Sequence, residues 1–139
     1  MPLIVDAFYY GSDLAHQPSL PGIIAIAQDS PERPVIVAHC GGYRLLEYFF
    51  HLRDLPNIWY DLSFSLQYLS DSSLRSDLIK LIRYTSPDRL MFGSDFPFAS
   101  AARQCDVLIG LAREAGVRDD GLDRMLATNA RDLFGGVIA

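Results

Sequence analysis

Short apolar runs alternate along this chain with segments whose apolar residues recur at the spacing of an α-helix. The runs are rich in β-branched and aromatic residues, which is typical of buried strands, and they cover 3–8, 34–39, 58–62 and 90–92. The intervening pattern predicts helices over 22–29, over 43–54, from a cap at Ser70 or Asp71, over 101–114 and over 120–134. Strands that alternate with helices predict parallel βαβ units with right-handed crossovers.

Four such units are compatible with an open, doubly wound sheet or with half of a (β/α)8 barrel. A complete barrel takes about 250 residues, whereas this chain has 139 residues and fits one domain, 1–139. The chain opens directly into a predicted buried strand, although domains more often begin with an exposed terminus. We therefore expect an upstream portion to be missing.

Composition narrows the functional classes. Half of the residues are hydrophobic and 21% are charged, which is the balance of a globular protein. The net charge of −5 and the scattered Lys and Arg residues argue against nucleic acid as a partner. No stretch reaches the roughly 20 apolar residues of a membrane span, and we expect no secretory signal, because residues 1–6 lack its charged region and its long apolar region. Cys40 and Cys105 lie in unrelated surroundings and form no disulfide framework, so we expect a cytoplasmic protein.

Each predicted strand ends on a polar residue, and parallel strands bring these ends to one edge of the sheet. The residues are Asp6, His39, Asp61 and Asp95. His39 precedes Gly41 and a second glycine, which would let a ligand approach the backbone closely. A neutral imidazole can bind a divalent metal or transfer a proton, and a carboxylate can bind a metal or accept a proton from metal-bound water. A core histidine satisfied by a backbone carbonyl, and a turn aspartate, are the alternative interpretations.

Four segments together resemble the amidohydrolase superfamily, in the amidohydrolase-related branch of metal-dependent hydrolases, lactonases and aminocarboxymuconate-type decarboxylases. They read VIVAHCGG over 35–42, NIWYDLS over 57–63, RLMFGSDFP over 89–97 and NARDLF over 129–134. Their order is similar to strands six, seven and eight of that barrel and its closing helix. The resemblance implies an α/β fold, the C-terminal half of a TIM-type (β/α)8 barrel with strands 5–8 and the closing helix.

The resemblance also implies roles for individual residues. His39 would contact the metal or the substrate, and Asp95 would be a metal ligand and the general base for the attacking water. Asp6, where many relatives carry a histidine, could complete the metal ligands around zinc or manganese. Tyr9, Cys40 and Gly41 are predicted to line the substrate site, Cys40 as a small buried residue and not as a nucleophile.

The chain departs from the family pattern in one respect that matters for the metal. It has no His-x-His pair such as the family carries on strand one, so we do not expect tight metal binding by this chain alone. His16 is expected on a solvated loop, although it could reach the mouth of the barrel, and His51 on a helix surface. Asp61 and Ser63 are expected to be structural.

The resemblance predicts a metal-dependent hydrolase, in which water activated by the metal and Asp95 attacks a small ester, lactone or amide. One alternative is a non-catalytic half-barrel that self-associates, and another is a decarboxylase of a small carboxylate. An open flavodoxin-like sheet is a weaker alternative, because Gly11-Ser12 is too sparse for a phosphate-binding loop. The expected partners are a small-molecule substrate and either a second copy or the missing N-terminal half.

Overall fold

The fold is seen in a computed structural model that describes residues 1–8 and 20–135. A parallel sheet of four strands forms its centre, with β1 at Leu3–Asp6, β2 at Val35–Ala38, β3 at Ile58–Asp61 and β4 at Leu90–Met91. The strands lie side by side in chain order, and every neighbouring pair is parallel. The predicted parallel βαβ organisation is confirmed.

Helices connect the strands and close the chain. They are α1 (Leu20–Asp29), α2 (Leu45–Leu52), α3 (Ser65–Leu69), α4 (Arg75–Tyr84), α5 (Ala101–Ala115), α6 (Asp119–Asp123) and α7 (Asn129–Phe134). A turn with non-helical backbone at Cys40, Gly41 and Gly42 covers His39–Arg44. A short 3₁₀ segment covers Pro87–Arg89, and a π-helical turn covers Arg124–Thr128. Helix α5 ends at Gly116, whose φ of 87° gives the left-handed C-cap that its glycine predicts. Within the described ranges, no helix is both long and apolar enough to cross a bilayer.

Two helical boundaries differ from the sequence-based expectation. The helix expected from a cap at Ser70 or Asp71 is α4, which begins at Arg75, because the Ser72 hydroxyl donates to the Leu69 carbonyl and accepts from the Leu74 N–H. Those bonds hold a turn between α3 and α4. The predicted single helix over 120–134 is interrupted by the π-helical turn.

The main core lies on one face of the sheet. Alternate strand residues in register point to this face, among them Val37, Tyr60 and Leu90, and they pack with the buried faces of α1, α2, α4 and α5. The opposite face carries Ile4, which is 59% exposed. Helices that cover one face of a parallel sheet are the arrangement of a TIM-type barrel, whereas a doubly wound sheet carries helices on both faces. The described part of the chain therefore has the architecture of four βα units of a barrel.

A buried amide ties the last helix to the last strand. The Asn129 side-chain amide donates to the carbonyls of Pro87, at 2.7 Å, and of Leu90, at 2.8 Å. The backbone N–H of Phe92 donates to the Met125 carbonyl at 2.8 Å, so the π-helical turn is also fastened to β4. These bonds fix the position of the end of β4, and of the loop that follows it, relative to the last helix.

Candidate active site at the carboxyl edge of the sheet

The carboxyl ends of β1 and β2 bring a carboxylate and an imidazole together. Asp6 is the last residue of β1, and His39 follows β2 directly. The His39 Nε2 atom lies 3.8 Å from the Asp6 Oδ1 atom, with 12% of the His39 side chain and 58% of the Asp6 side chain exposed. The two form an ion pair when the imidazole is protonated. The prediction that these strand ends meet at one edge is confirmed for this pair.

The second ring nitrogen of His39 is held by Ser63. Its Nδ1 atom lies 3.1 Å from the Ser63 carbonyl oxygen and 3.1 Å from the Ser63 Oγ atom. A carbonyl oxygen can only accept, so the Nδ1 atom carries the proton and donates it to this carbonyl. In the neutral imidazole, Nε2 is then the atom with the free lone pair. The ring presents that lone pair on the side of Asp6.

Asp61 connects the backbone of His39 to Ser63. Its carboxylate accepts the His39 N–H at 3.4 Å, the Ser63 N–H at 3.1 Å and the Ser63 hydroxyl in a short hydrogen bond. Asp61 and Ser63, which we expected to be structural, therefore position His39 directly. The Asp-x-Ser spacing at the end of a predicted strand was the signal in the sequence that could have indicated this role.

The turn after β2 runs through the left-handed region of the backbone. His39 has a φ of 57°, Cys40 a φ of 42° and Gly41 a φ of 87°. A Cβ on Gly41 would lie 2.7 Å from the Tyr48 ring, so only glycine fits. The Ser65 hydroxyl donates to the His39 carbonyl at 2.6 Å and holds the turn from outside. Left-handed residues other than glycine persist only where surrounding contacts enforce them, and they are frequent at functional sites.

Gly93 allows the segment that follows β4 to lie against the Asp61 carboxylate. A Cβ at this position would lie 2.6 Å from Asp61 Oδ1 and 2.8 Å from Ser63 Cβ. Any larger residue at 93 would displace the group that positions His39. A glycine is therefore required at position 93, because Asp61 and Ser63 occupy the space that a side chain would need.

Two phenylalanine rings form an apolar side of the site. The ring centroids of Phe8 and Phe64 are 4.6 Å apart, and the His39 ring lies 5.9 Å from the first and 5.6 Å from the second. The contacts with His39 are edge-on, which is a favourable aromatic geometry. This aromatic wall limits the access of water to the imidazole from that side.

Asp95 lies outside the network around His39. It is half-buried, has a φ of 58°, and its carbonyl accepts the Phe98 N–H at 2.9 Å. Its carboxylate makes no hydrogen bond or ion pair with another residue in 1–8 or 20–135. The predicted joint role of Asp95 and His39 stays a prediction. Tyr9 and His16 lie outside the described residues.

Cys40 and Gly41, predicted to line the substrate site, are both buried. Burial raises the pKa of the Cys40 thiol to about 12, against a hydrogen bond from Ser65 that lowers it, and the Asp61 charge adds to the rise. The thiol is therefore neutral at physiological pH, in keeping with a small buried residue. His51 lies exposed on α2, as expected.

The described residues do not by themselves fit a catalytic metal. A catalytic zinc commonly has three protein ligands and one open position. Asp6 and His39 form a pair of donors, and no group of three His, Cys, Asp or Glu side chains that could hold an ion occurs in 1–8 or 20–135. The predicted metal set of Asp6, His39 and Asp95 is not assembled in this part of the chain.

Comparison with known families agrees with this geometry. A family model described as amidohydrolase matches residues 3–136. The chain belongs to the amidohydrolase family. Members typically bind divalent metals, and metal-dependent hydrolysis is the general chemistry of this family. No curated protein matches the sequence of this amidohydrolase domain significantly.

Solved structures with a similar fold are TIM barrels about twice as long. An uncharacterized TIM-barrel protein from Bordetella bronchiseptica matches with a TM-score of 0.69 and 19% identity, over 97% of this chain and 46% of that one. A 2,6-dihydroxybenzoate decarboxylase from Rhizobium matches with a TM-score of 0.58 and 17% identity, and one complexed with 2,6-dihydroxybenzoate with 0.57 and 18%. Both comparisons with the decarboxylase cover 84% of this chain and 40% of that one. The amidohydrolase domain thus spans less than half the length of these structures.

Proposed function

We propose that this amidohydrolase domain supplies His39 and Asp95 to an active site that hydrolyses a small ester, lactone or amide. The observation that carries the proposal is the fixed imidazole, whose Nδ1 is bound by Ser63 and whose Nε2 faces Asp6 at the carboxyl edge of the sheet. A zinc or manganese ion would need donors besides Asp6 and His39. No step below depends on such an ion.

The proposed steps use the protonated form of His39 and the carboxylate of Asp95. The oxygen of water attacks the carbonyl carbon of the substrate, and Asp95 accepts the proton that this water loses. The Nε2–H of His39 donates a hydrogen bond to the oxyanion that forms, while Asp6 stabilises the positive imidazole. When the tetrahedral intermediate collapses, the bond to the leaving group breaks and Asp95 returns the proton to that group. The aromatic wall of Phe8 and Phe64 supports this proposal because it shields the oxyanion from water.

A second candidate is decarboxylation of a small aromatic carboxylate. The aromatic wall favours it, because the half-buried Phe64 ring, backed by Phe8, offers an apolar surface against which a planar ring can pack beside His39. Two structures that share the fold are 2,6-dihydroxybenzoate decarboxylases. Their sequence identities to this chain, 18% and 17%, support a shared fold alone.

We also propose that the sheet face that carries Ile4 is covered in the active protein, by a second copy of this chain or by the other half of a longer barrel. The exposed Ile4 and the share of 46% of the matched barrel support this proposal. Sedimentation of the purified chain tests it: a dimer supports the first arrangement. A stable monomer with full activity would contradict both.

The activity test uses the full chain with zinc or manganese supplied, a panel of lactones, esters and amides, and 2,6-dihydroxybenzoate. We expect turnover that falls at least a hundredfold in His39→Asn and in Asp95→Asn. His51→Asn is the matched control, because it removes a histidine from the exposed face of α2. Absence of turnover on every substrate, or an equal loss of turnover in His51→Asn, would refute the proposed enzymatic activity and favour a non-catalytic half-barrel.

A further inference from the structure

A cavity lies at the amino ends of the strands, opposite the candidate active site. It has a volume of about 300 Å³. Its walls include Ile58 at the start of β3 and Arg89 just before β4, together with Arg53 after α2 and Thr85 after α4. His39, Asp61 and Asp95 lie at or after the carboxyl ends of the strands, so this cavity is separate from the proposed chemistry.

The charge on the walls of this cavity is positive. Arg89 is half-buried and its Nη1 donates to the Leu55 carbonyl at 3.1 Å, but no carboxylate within 1–8 or 20–135 forms an ion pair with it. Arg53 stacks over the Phe50 ring at 5.5 Å, and its Nε lies 3.8 Å from the carboxylate of Asp54, whose side chain is 89% exposed. Two guanidinium groups therefore face one solvated carboxylate. A half-buried cation without a counter-ion favours the binding of an anion.

Polar and aromatic groups complete the cavity. Thr85 is 9% exposed, and its hydroxyl has no hydrogen-bond partner in the described part of the chain. Phe49 and Tyr84 contribute aromatic rings to the same walls. The walls thus combine donors for an oxyanion with a surface for an apolar group.

We propose that this cavity binds a small aryl phosphate, whose oxygens are held by Arg53 and Arg89 and whose ring lies against Phe49 and Tyr84. A guanidinium group matches the oxygens of a phosphate in a bidentate manner, and a dianion gains more than a carboxylate from two cations. The volume of about 300 Å³ leaves room for an organic group beyond the phosphate itself.

Calorimetric titration of the purified chain with phenyl phosphate, inorganic phosphate and benzoate, at constant ionic strength set with chloride, tests this site. We expect one phenyl phosphate per chain, weaker binding of inorganic phosphate and the weakest binding of benzoate. Arg53→Gln should weaken phenyl phosphate at least tenfold, because it removes a charged hydrogen bond from an exposed side chain. Arg113→Gln, which removes an exposed arginine of α5 that does not line this cavity, is the matched control.

Two further variants keep the test independent of folding. Arg89→Lys retains the positive charge but loses the paired N–H donors of the guanidinium group. We expect it also to weaken the binding of phenyl phosphate about tenfold. His39→Asn should bind phenyl phosphate as the parent does. This variant therefore tests the phosphate site independently of the proposed activity. The proposal is overturned if phenyl phosphate does not bind, if benzoate binds as tightly, or if Arg53→Gln and Arg89→Lys both bind like the parent.

Discussion

Replacement of Asp61 by alanine tests whether this carboxylate positions His39. The variant removes the acceptor of three hydrogen bonds, from the His39 N–H at 3.4 Å, from the Ser63 N–H at 3.1 Å and from the Ser63 hydroxyl. A hydrogen bond to a charged group contributes about 1.5–3 kcal/mol. Asp61 is half-buried and the bond to His39 is long, so water replaces part of this contribution. We therefore expect a loss of about 2–4 kcal/mol in the free energy of unfolding, a large share of the stability of a typical domain.

Urea unfolding followed by the fluorescence of Trp59, the single tryptophan of the chain, measures this loss. With a urea dependence of about 2 kcal/mol per molar, the midpoint should fall by about 1–2 M. Asp54→Ala is the control, because that side chain is 89% exposed, and it should leave the midpoint nearly unchanged. In NMR spectra, the backbone amide of His39 should shift and exchange faster in Asp61→Ala, because its left-handed turn loses an anchor. A loss below about 0.5 kcal/mol together with an unchanged His39 amide would refute the reasoning.

Three further predictions concern other parts of the chain. Asn129→Ala should lower the free energy of unfolding by about 2–4 kcal/mol in the same urea assay, since it leaves the buried carbonyl of Leu90 and the partly buried carbonyl of Pro87 without their donor. A loss as small as that of a surface variant would contradict this. In the native chain, a thiol reagent at pH 8 should label Cys105 and spare Cys40, whose pKa is raised to about 12 by burial; equal labelling, read by mass spectrometry, would show that Cys40 is not buried. The hydrogen bond from Arg75 lowers the pKa of Glu114, so this carboxylate stabilises the fold above its unfolded pKa and ceases to do so as the pH falls through the lowered value. Glu114→Gln should therefore be slightly less stable than the parent at pH 7 and equal to it at strongly acidic pH, and a difference that persists in acid would exclude this pair as its source.

The apolar runs predicted the strands well because the residues of β2, β3 and β4 are buried or half-buried in a parallel sheet, while β1 alternates between half-buried and exposed residues. Position 36 illustrates this: Ile36 is 1% exposed although it faces away from the main core. The observed strands end one or two residues before the predicted ends, since His39 and Leu62 already belong to the turns that follow. Helix α3 was not predicted because it has no capping residue at its start, and its five residues are too few to show a helical spacing of apolar side chains.

The candidate site was only partly readable from the sequence. The position of His39 after a buried strand indicated an imidazole at the edge of the sheet, and the structure places it there beside Asp6, with 12% of its side chain exposed. The roles of Asp61 and Ser63 depend on the lateral register of β2 and β3, and a single sequence does not encode that register as a local pattern. The relation of Asp95 to His39 depends on the loop after β4, where no helix or strand fixes the direction of the side chain.

The order of the strands has a consequence for how this fold can form. Each strand pairs with the strand that follows it in the chain, so Leu3 pairs with Val35, Val35 with Ile58 and Tyr60 with Leu90. Every strand pairing within residues 1–8 and 20–135 therefore closes a loop of one strand–helix unit, and none of these pairings joins strands that are distant in the chain. Such a sheet can grow one unit at a time as the chain leaves the ribosome, with each new strand added to an edge that already exists.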